Sequence, residues 1–327
     1  MTQNNTVKDI NDEISDLESR LRDAKIRLAA EAPPSYEEAS WLHTSNGMCV
    51  TTTLSKAVPV WMLTVYISLD QPNEGRETNT SAIHALLLLA DSALPLGSFA
   101  YSNGLESFLA HNKSLPKSVS PLSSFRRFLK LSVASVASTS LPYILAAHRN
   151  PERLETLDND LDASTPCVVA QRASIAQGRA LLGVWERSFR MSYASTAGDA
   201  GAAAKSIEAF YDGVKSTIGT ADDLGPKGHF PPIWGIVCLA MGVDIRQTAY
   251  VFMVNHAKAV LSAAVRASVM GPYQAQNFLA SKDLQDVIME RIDREWNTEV
   301  EYAGQVVPPL DLWVGRHELL YSRIFNS

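Results

Sequence analysis

The stretch 244-DIRQTAYVFMVNHAKAVLSAAVRASVMGP-272 decides the fold of this chain of 327 residues. Asp244 is a favourable N-cap and Gly271-Pro272 is a typical helix end, so the stretch predicts one long helix over 245–270. Its small residues allow a neighbouring helix to approach closely; they are Ala257, Ala259, Ser262, Ala263, Ala264 and Ala267. We therefore expect this helix at the centre of a bundle.

Helical patterns also flank this stretch. Ser120-Pro121 opens a segment with Phe125, Phe128, Leu129 and Val133, and proline is favoured in a first helical turn. Residues 167–190 carry Val168, Ile175, Leu181, Leu182, Val184 and Trp185, and a further stripe contains Leu284, Val287, Ile288 and Ile292. Stretches rich in Gly, Ser, Pro and Asp predict loops at 192–206 and 219–232. No alternating strand series appears, so the predicted fold class is all-α, a compact multi-helix bundle of about eight to ten helices with an N-terminal extension.

The first 80 residues differ in character from the rest and form the predicted extension. Apolar residues spaced by three and four predict an amphipathic helix over 8–29. Pro33-Pro34-Ser35-Tyr36 has the PPxY form that WW domains bind, and we interpret it as part of a linker. Residues 47–69 have a strand-like composition without partner strands, which fits an insertion, a disordered arm or a translated intron. The predicted domains are 1–80, an all-α domain at 81–304, and a partner-binding C-terminal tail at 305–327.

Composition narrows the functional classes. The net charge of −6 and the absence of a basic block argue against nucleic acid as a partner. The three cysteines are far apart, which predicts free thiols in a reducing compartment. The start of the chain does not resemble a signal peptide, and Lys56, Pro59 and four threonines dilute the apolar stretch 49–69. We therefore expect a cytoplasmic protein that does not enter a membrane.

The stretch 86-LLLLADSALPLGSFAYSNGLESFLA-110 places helix breakers and aromatic residues between two apolar runs. A phosphate-binding loop would need G-x-x-x-x-G-K-[ST], but Gly97 and Gly104 are seven residues apart and Glu106 introduces a negative charge. Asn103 and Glu106 instead have the spacing of a helix capping box. We interpret the stretch as a rigid turn that presents Phe99 and Tyr101 to another protein.

Catalytic and metal-binding patterns are missing from the sequence. Ser92, Ser98 and Ser102 are not part of a G-x-S-x-G motif. The seven histidines are scattered without metal-ligand spacing. The sequence therefore predicts no catalytic, cofactor-binding or metal-ligating residue, and a scaffold or interaction protein is the simpler interpretation.

Residues 89-LADSALPLGSFAYSNGLE-106 resemble the N-terminal signature of the UreF family of urease accessory proteins, L-x-D-S-A-L-P-x-G-x-F-x-x-S-x-G-L-E. Three further regions are similar to the family in the same order. They are 172-RASIAQGRALL-182 with His229-Phe230-Pro231 and Gly235, then 262-SAAVR-266 through Gly271 and Gln274, and finally 317-HELLYSRIFNS-327. The resemblance covers about residues 82–327. Ser98 stands where the family usually has Gly and Tyr101 where it usually has His, which weakens a metal role for this turn.

The resemblance implies an all-α homodimer that takes part in loading nickel into apo-urease. In this family the protein bridges the UreD/UreH protein and the GTPase UreG, and it modulates the GTPase cycle without hydrolysing GTP. Nickel and GTP would then be handled by the partner proteins, and this chain would bind no cofactor itself. Two alternatives remain: an all-α small-ligand-binding protein or enzyme, and a coiled-coil adaptor built around residues 8–29.

Partner contacts are predicted in two places. The tail after Pro308-Pro309 is expected to be too short and too charged to form a core, and to bind UreD/UreH; its contact residues would be His317, Glu318, Leu319, Tyr321, Arg323, Ile324 and Phe325. The alternative is that the tail folds back on its own bundle. For UreG we predict contacts through Asp91, Tyr101, Glu106 and Arg266, with the alternatives that Asp91 caps a helix and that Arg266 pairs internally.

Overall fold

The computed structural model describes residues 74–112, 120–194, 197–217 and 225–326, and these residues form helices and turns without a β-strand. The predicted all-α fold is confirmed. The predicted helix over 8–29, the PPxY motif and the stretch 47–69 lie outside the described residues.

Eleven α-helices follow one another in the described parts of the chain. They are α1 Glu74–Ala90, α2 Leu105–Asn112, α3 Pro121–Arg149, α4 Leu154–Ser164, α5 Val168–Val184, α6 Gly198–Thr217, α7 Phe230–Ala240, α8 Ile245–Arg266, α9 Pro272–Leu279, α10 Lys282–Glu295 and α11 Pro308–Arg316. A π-helical turn, Trp185–Phe189, and a last turn, Arg190–Tyr193, extend α5.

The core is built around α3 and α7. The sequence of α7 is apolar on all sides, and nine of its eleven residues are buried against α3, α5 and α6. A Cβ atom added to Gly235 would lie 2.3 Å from the carbonyl oxygen of Ile144 in α3. Because no side chain fits there, glycine is required for the two helices to approach this closely.

Helix α8 begins as its sequence predicts. The Asp244 carboxylate accepts hydrogen bonds from the backbone N–H groups of Arg246 (2.8 Å) and Gln247 (3.3 Å). The buried alanines of α8 let it pack on α3 and α7. The helix ends at Arg266, four residues before the predicted end, because Ser268 takes a left-handed conformation with φ 59°. We predicted that α8 lies at the centre of the bundle; in the structure, α8 shares this position with α3 and α7.

The loop predicted at 192–206 is wrong over much of its length. Helix α6 begins at Gly198, and Ala203, Ala204 and Ile207 are buried in the core. Alanine has the highest helix propensity, and here it also allows close packing against α7. The loop predicted at 219–232 is too long at its end, because Phe230 and the two prolines after it form the first turn of α7.

Among the described residues one helix, α3, is long and apolar enough to cross a membrane by length and composition. It is the central helix of the bundle, and 78% of its most apolar window is buried inside the protein. The helix therefore has the environment expected of a core helix.

Candidate functional site

Residues 91–104, which we call the elbow, connect α1 to α2. The last carbonyl groups of α1 accept hydrogen bonds from α8: Asn255 Nδ2 donates to Leu89 O (3.0 Å) and Lys258 Nζ donates to Ala90 O (2.6 Å). A cation at a helix C-terminus is favourable because it neutralises the free carbonyl dipoles. The Asp91 carboxylate accepts from the N–H of Ala93 (2.9 Å), so Asp91 stabilises the first turn of the elbow.

The end of the elbow is organised by serine. Ser98 Oγ donates to Gln177 Oε1 of α5 (2.9 Å), and the Ser102 hydroxyl accepts from the backbone N–H of Glu106 (3.3 Å). The predicted capping box of Asn103 and Glu106 is wrong, because Ser102 caps α2 and the Glu106 carboxylate binds another segment. Asn103 instead supplies a turn residue with φ 51°.

The Glu106 carboxylate binds the C-terminal tail at three points. It accepts hydrogen bonds from His317 Nε2 (2.9 Å), from the backbone N–H of Ile324 (2.7 Å) and from that of Phe325 (3.2 Å). The His317 ring is fully buried, and the Glu106 side chain is only 11% exposed. A carboxylate accepts only, so His317 must carry a proton on Nε2. Glu106 therefore joins α2 to both ends of the tail segment 317–325.

The tail contributes to the core, contrary to the expectation that it would be too short and charged to do so. Trp313 in α11 contacts the rings of Phe108 and Phe128, with centroids 4.8 and 5.8 Å apart. Leu310 and Phe325 are buried. The sequence analysis underestimated these anchors because they are separated by polar residues. The tail folds back on its own bundle; its binding to a partner stays a prediction.

Several large apolar side chains of the elbow and tail nevertheless face solvent. Relative exposure is 67% for Phe99, 75% for Leu319, 64% for Ile324 and complete for Tyr321. The two segments touch directly, since the backbone N–H of Asn326 donates to Ala100 O (2.8 Å). We call this the elbow–tail surface, defined by Phe99, Leu319, Tyr321 and Ile324. Exposed apolar residues that recur on one surface are typical of a protein-binding site.

Charged groups border the elbow–tail surface. Arg172 in α5 forms an ion pair with Glu318, and this contact holds the pKa of the Glu318 carboxyl below its usual value. Burial raises the pKa of Tyr101, an effect that the positive charge of Arg172 partly offsets. The side chain of Arg323 is exposed. An arginine–carboxylate pair beside exposed aromatic rings offers a partner both directional and apolar contacts.

Arg266 contacts the tail of its own chain, although the residue is exposed. Its guanidinium lies over the ring of Phe325, 4.4 Å from the centroid, and its Nε donates weakly to Ser262 O (3.4 Å). Partial burial lowers the pKa of Arg266. The alternative of internal pairing therefore describes Arg266 in this structure.

The structure brings most of the predicted site residues together. Glu106, Arg266, His317 and Phe325 form the internal attachment of the tail. Phe99, Glu318, Tyr321 and Arg323 are on the outside, and Tyr101 is partly buried beside them. Asp91 is exposed at the opposite end of the elbow.

A cavity of about 650 Å³, partly open to solvent, lies between the bundle helices and the elbow. Its wall is mostly apolar and also contains polar groups, among them Ser132, Ser135, Thr139, Ser174, Gln177 and His256; the elbow residues Phe99 and Tyr101 line it as well. His256 Nε2 and Ser132 Oγ are 2.8 Å apart. Burial lowers the pKa of His256 to about 4, so the imidazole is neutral at pH 7.

A second polar cluster was missed by the sequence analysis. The buried Asp158 carboxylate accepts from the backbone N–H groups of Lys227, Gly228 and His229. The buried His229 ring lies 3.1 Å from Ser174 Oγ and 3.0 Å from Asp162 Oδ1. Its residue types match a hydrolase triad, but the Ser174 hydroxyl also accepts from the N–H of Phe230 (3.2 Å). The cluster therefore fixes the start of α7.

Gly178 explains why this cluster is so tightly packed. A Cβ atom at this position would lie 2.2 Å from the carbonyl oxygen of Gly228, so α5 can approach the loop only with glycine here. Gly178 and His229 both belong to the regions that carried the family resemblance. The described residues contain no group of three or more His, Cys, Asp or Glu side chains placed to hold a metal ion.

A family model described as UreF matches residues 119–282 of this chain. This segment contains α3 to α9, which supply most of the core.

Relatives from three kingdoms match a longer part of the chain. An uncharacterized UreF-like urease accessory protein of Schizosaccharomyces pombe is 36% identical over 244 residues, which cover 75% of this chain and 97% of the relative. Urease accessory protein F of Arabidopsis thaliana is 32% identical, covering 73% and 90%. Urease accessory protein UreF of Actinobacillus pleuropneumoniae is 25% identical, covering 74% and 98%.

Proposed function

Because this chain belongs to the UreF family of urease accessory proteins, we propose that it is a scaffold of the complex that inserts nickel into apo-urease. It bridges a UreD/UreH-type protein and a UreG-type GTPase, and it modulates GTP-dependent nickel delivery. In this proposal nickel is cargo, GTP is bound by the partner, and the chain acts as a cytoplasmic homodimer without a cofactor of its own.

The family assignment confirms the prediction that the chain is not an enzyme, since its relatives are accessory proteins. The hydrogen bonds that connect Ser174, His229 and Asp162 agree with that assignment. These side chains stabilise the loop before α7, which is a structural role. A scaffold needs a stable surface, and the Glu106 carboxylate stabilises the tail that carries one.

The observation that carries the proposal is the elbow–tail surface. Phe99, Tyr321 and Ile324 expose most of their apolar area although Phe325 beside them is buried. Leaving three such side chains in water is unfavourable by roughly 1.5–3 kcal/mol each relative to burial. A protein partner that covers them would recover this free energy, and we assign this surface to the UreD/UreH-type protein.

The contact with the UreG-type GTPase is assigned to the elbow. Of the four residues predicted for it, Asp91 is exposed and Tyr101 is partly exposed. Glu106 binds the tail, and the guanidinium of Arg266, although exposed, lies over Phe325 of the tail. We therefore propose that Asp91 and Tyr101 contact the GTPase directly, while Glu106 and Arg266 act through the tail.

Co-expression tests the proposed function. Apo-urease, the UreD/UreH-type protein and the UreG-type GTPase are produced with and without this chain in nickel-containing medium, and urease activity and bound nickel are measured. The scaffold function predicts active, nickel-loaded urease only when this chain is present. Equal activation in its absence would refute the proposal.

A second candidate function, binding of a small ligand, is favoured by the cavity, whose mostly apolar wall carries hydroxyl groups and the neutral His256 imidazole. Titration of the purified chain with nickel(II) and with urea, followed by the NMR signals of His256, tests this candidate. Saturable shifts that disappear in Ser132→Ala would support it, and unchanged signals would count against it.

A further inference from the structure

We propose that Glu106 is a positioning residue that fixes the C-terminal tail in the conformation competent to bind a partner. This inference rests on the proposed function in one respect, namely that the elbow–tail surface binds the UreD/UreH-type protein. The attachment itself follows from the structure of the chain alone.

One carboxylate holds two separate points of the tail. Glu106 is 211 residues away from His317 and 218 residues away from Ile324, yet it bonds to both. Hydrogen bonds to an ionised carboxylate are the stronger class, particularly where water is largely excluded. With a side chain only 11% exposed, Glu106 meets this condition. Its three bonds therefore restrain residues 317–325 at both ends.

The restraint determines which side chains face outwards. The backbone N–H of Ile324 is held by Glu106 while its side chain is 64% exposed, and the next residue, Phe325, is buried under Arg266. Tyr321 lies between the two attached ends and is fully exposed. Attachment of the backbone at both ends therefore holds in place a segment in which Leu319, Tyr321 and Ile324 are exposed.

His317 shows that the attachment has a role besides burial of apolar area. Its ring is completely buried, and Nδ1 has no hydrogen-bond partner among the described residues. An unpaired buried nitrogen is destabilising. An apolar residue at this position would avoid that penalty, but it would remove the Nε2–H bond to Glu106.

A tail that is ordered in advance binds more tightly than a free one. Ordering a flexible segment during association opposes binding, because each immobilised backbone and side chain loses conformational entropy. By holding residues 317–325 before the partner arrives, Glu106 removes part of this loss. The fitting partner has an apolar groove for Tyr321 and Ile324 and polar groups that match the Arg172–Glu318 pair.

The experiment measures tail order and partner binding separately in the full chain. Glu106→Ala, Glu106→Gln and a control, Glu290→Gln on the exposed face of α10, are compared with the unaltered chain. Hydrogen exchange reports on the amides of Ile324 and Phe325 without any partner. The dissociation constant is measured with the purified UreD/UreH-type protein.

Glu106→Ala is expected to accelerate exchange of both tail amides and to weaken partner binding, each by about tenfold or more, with core amides in α7 unchanged. Glu106→Gln should recover part of both effects, since its amide oxygen can still accept from the tail. Glu290→Gln should change neither. If Glu106→Ala also accelerates exchange of the core amides, the tail-amide exchange and the partner affinity of Glu106→Gln are used to test the inference instead.

Two results would overturn the inference: unchanged exchange at Ile324 and Phe325 in both Glu106 variants, or faster exchange with unaltered partner affinity. A parallel variant, Tyr321→Ser, separates this outcome from failure of the proposed function. It leaves the Glu106 bonds in place, so normal binding by Tyr321→Ser would show that the surface assignment is wrong, whatever Glu106 does to the tail.

Discussion

Two carboxylates, the buried Asp158 and the largely buried Glu106, organise segments of this protein that lie outside its core helices. Asp158 accepts hydrogen bonds from the backbone N–H groups of residues 227–229. Glu106 accepts hydrogen bonds from those of residues 324 and 325. Backbone groups outside helices lack partners within their own element, so a buried acceptor stabilises such segments strongly. Each carboxylate therefore gives an irregular segment one defined conformation.

His256 gives a prediction at this scale for stability against pH. Its pKa is about 4 in the folded protein, below the ordinary value of 6.5, because burial disfavours the charged ring. As pH falls below 6.5 the unfolded chain takes up this proton first, so the free energy of unfolding decreases until pH approaches 4. We expect the unaltered chain to lose about 2 kcal/mol more than His256→Gln between pH 7 and 4.5.

Urea unfolding at the two pH values measures this difference. Glutamine is chosen because it can still bond to Ser132 Oγ while it does not titrate. An identical loss of stability in both proteins would mean that the ring is protonated as easily in the folded as in the unfolded chain.

At the scale of elements, local chemistry predicted the helices better than the segments between them. Asp244 capped α8 and Pro121 opened α3 as their sequences indicate. Glycine- and serine-rich composition misled at 198–206, because burial of Ala203 and Ala204 against α7 decides the structure there. Val168 was named among the apolar residues of 167–190 but is 67% exposed, because the first turn of α5 directs Val169 and not Val168 to the core. Whether these residues are helical or buried depends on the residues that pack against them in the fold, and a single sequence does not show which residues those are.

The α3–α7 contact gives a prediction for an element. Gly235→Ala would place a methyl group 2.3 Å from the Ile144 carbonyl oxygen, so the two helices must separate. We expect a loss of about 2–4 kcal/mol in the free energy of unfolding. Gly304→Ala is the matched control, because a Cβ atom there meets nothing within 4 Å. Chemical denaturation of both variants provides the measurement; comparable stabilities would argue against the close α3–α7 packing.

At the scale of the whole molecule, the tail belongs partly to the core and partly to the surface. The sequence analysis named Tyr321 and Phe325 as partner-binding anchors, because they are aromatic residues in a polar segment. It did not predict their separate roles, since exposure of Tyr321 and burial of Phe325 depend on Glu106, more than 200 residues away. The cavity was likewise hidden, because the hydroxyl groups that line it are spread over α3, α5 and the elbow.

Truncation distinguishes these two parts of the tail. Deleting residues 318–327 removes Phe325 but keeps α11, and we expect a loss of about 2–3 kcal/mol in the free energy of unfolding. Deleting residues 305–327 also removes Trp313 from its contact with Phe108, and the expected loss is about twice as large. Thermal and urea unfolding measure the stability of each truncated chain. Equal stabilities of the two truncated chains would contradict a core role for α11.

The central claim is that exposed side chains of the elbow–tail surface bind the UreD/UreH-type protein. The most direct measurement is the dissociation constant of that complex for the double variant Leu319→Ser/Tyr321→Ser, with Met191→Ser as control. Met191 is 91% exposed but lies nineteen residues beyond Arg172 along the α5 segment. We predict that the double variant binds at least about tenfold more weakly at unchanged stability, while the control binds normally. Equal affinity of all three proteins would contradict the claim.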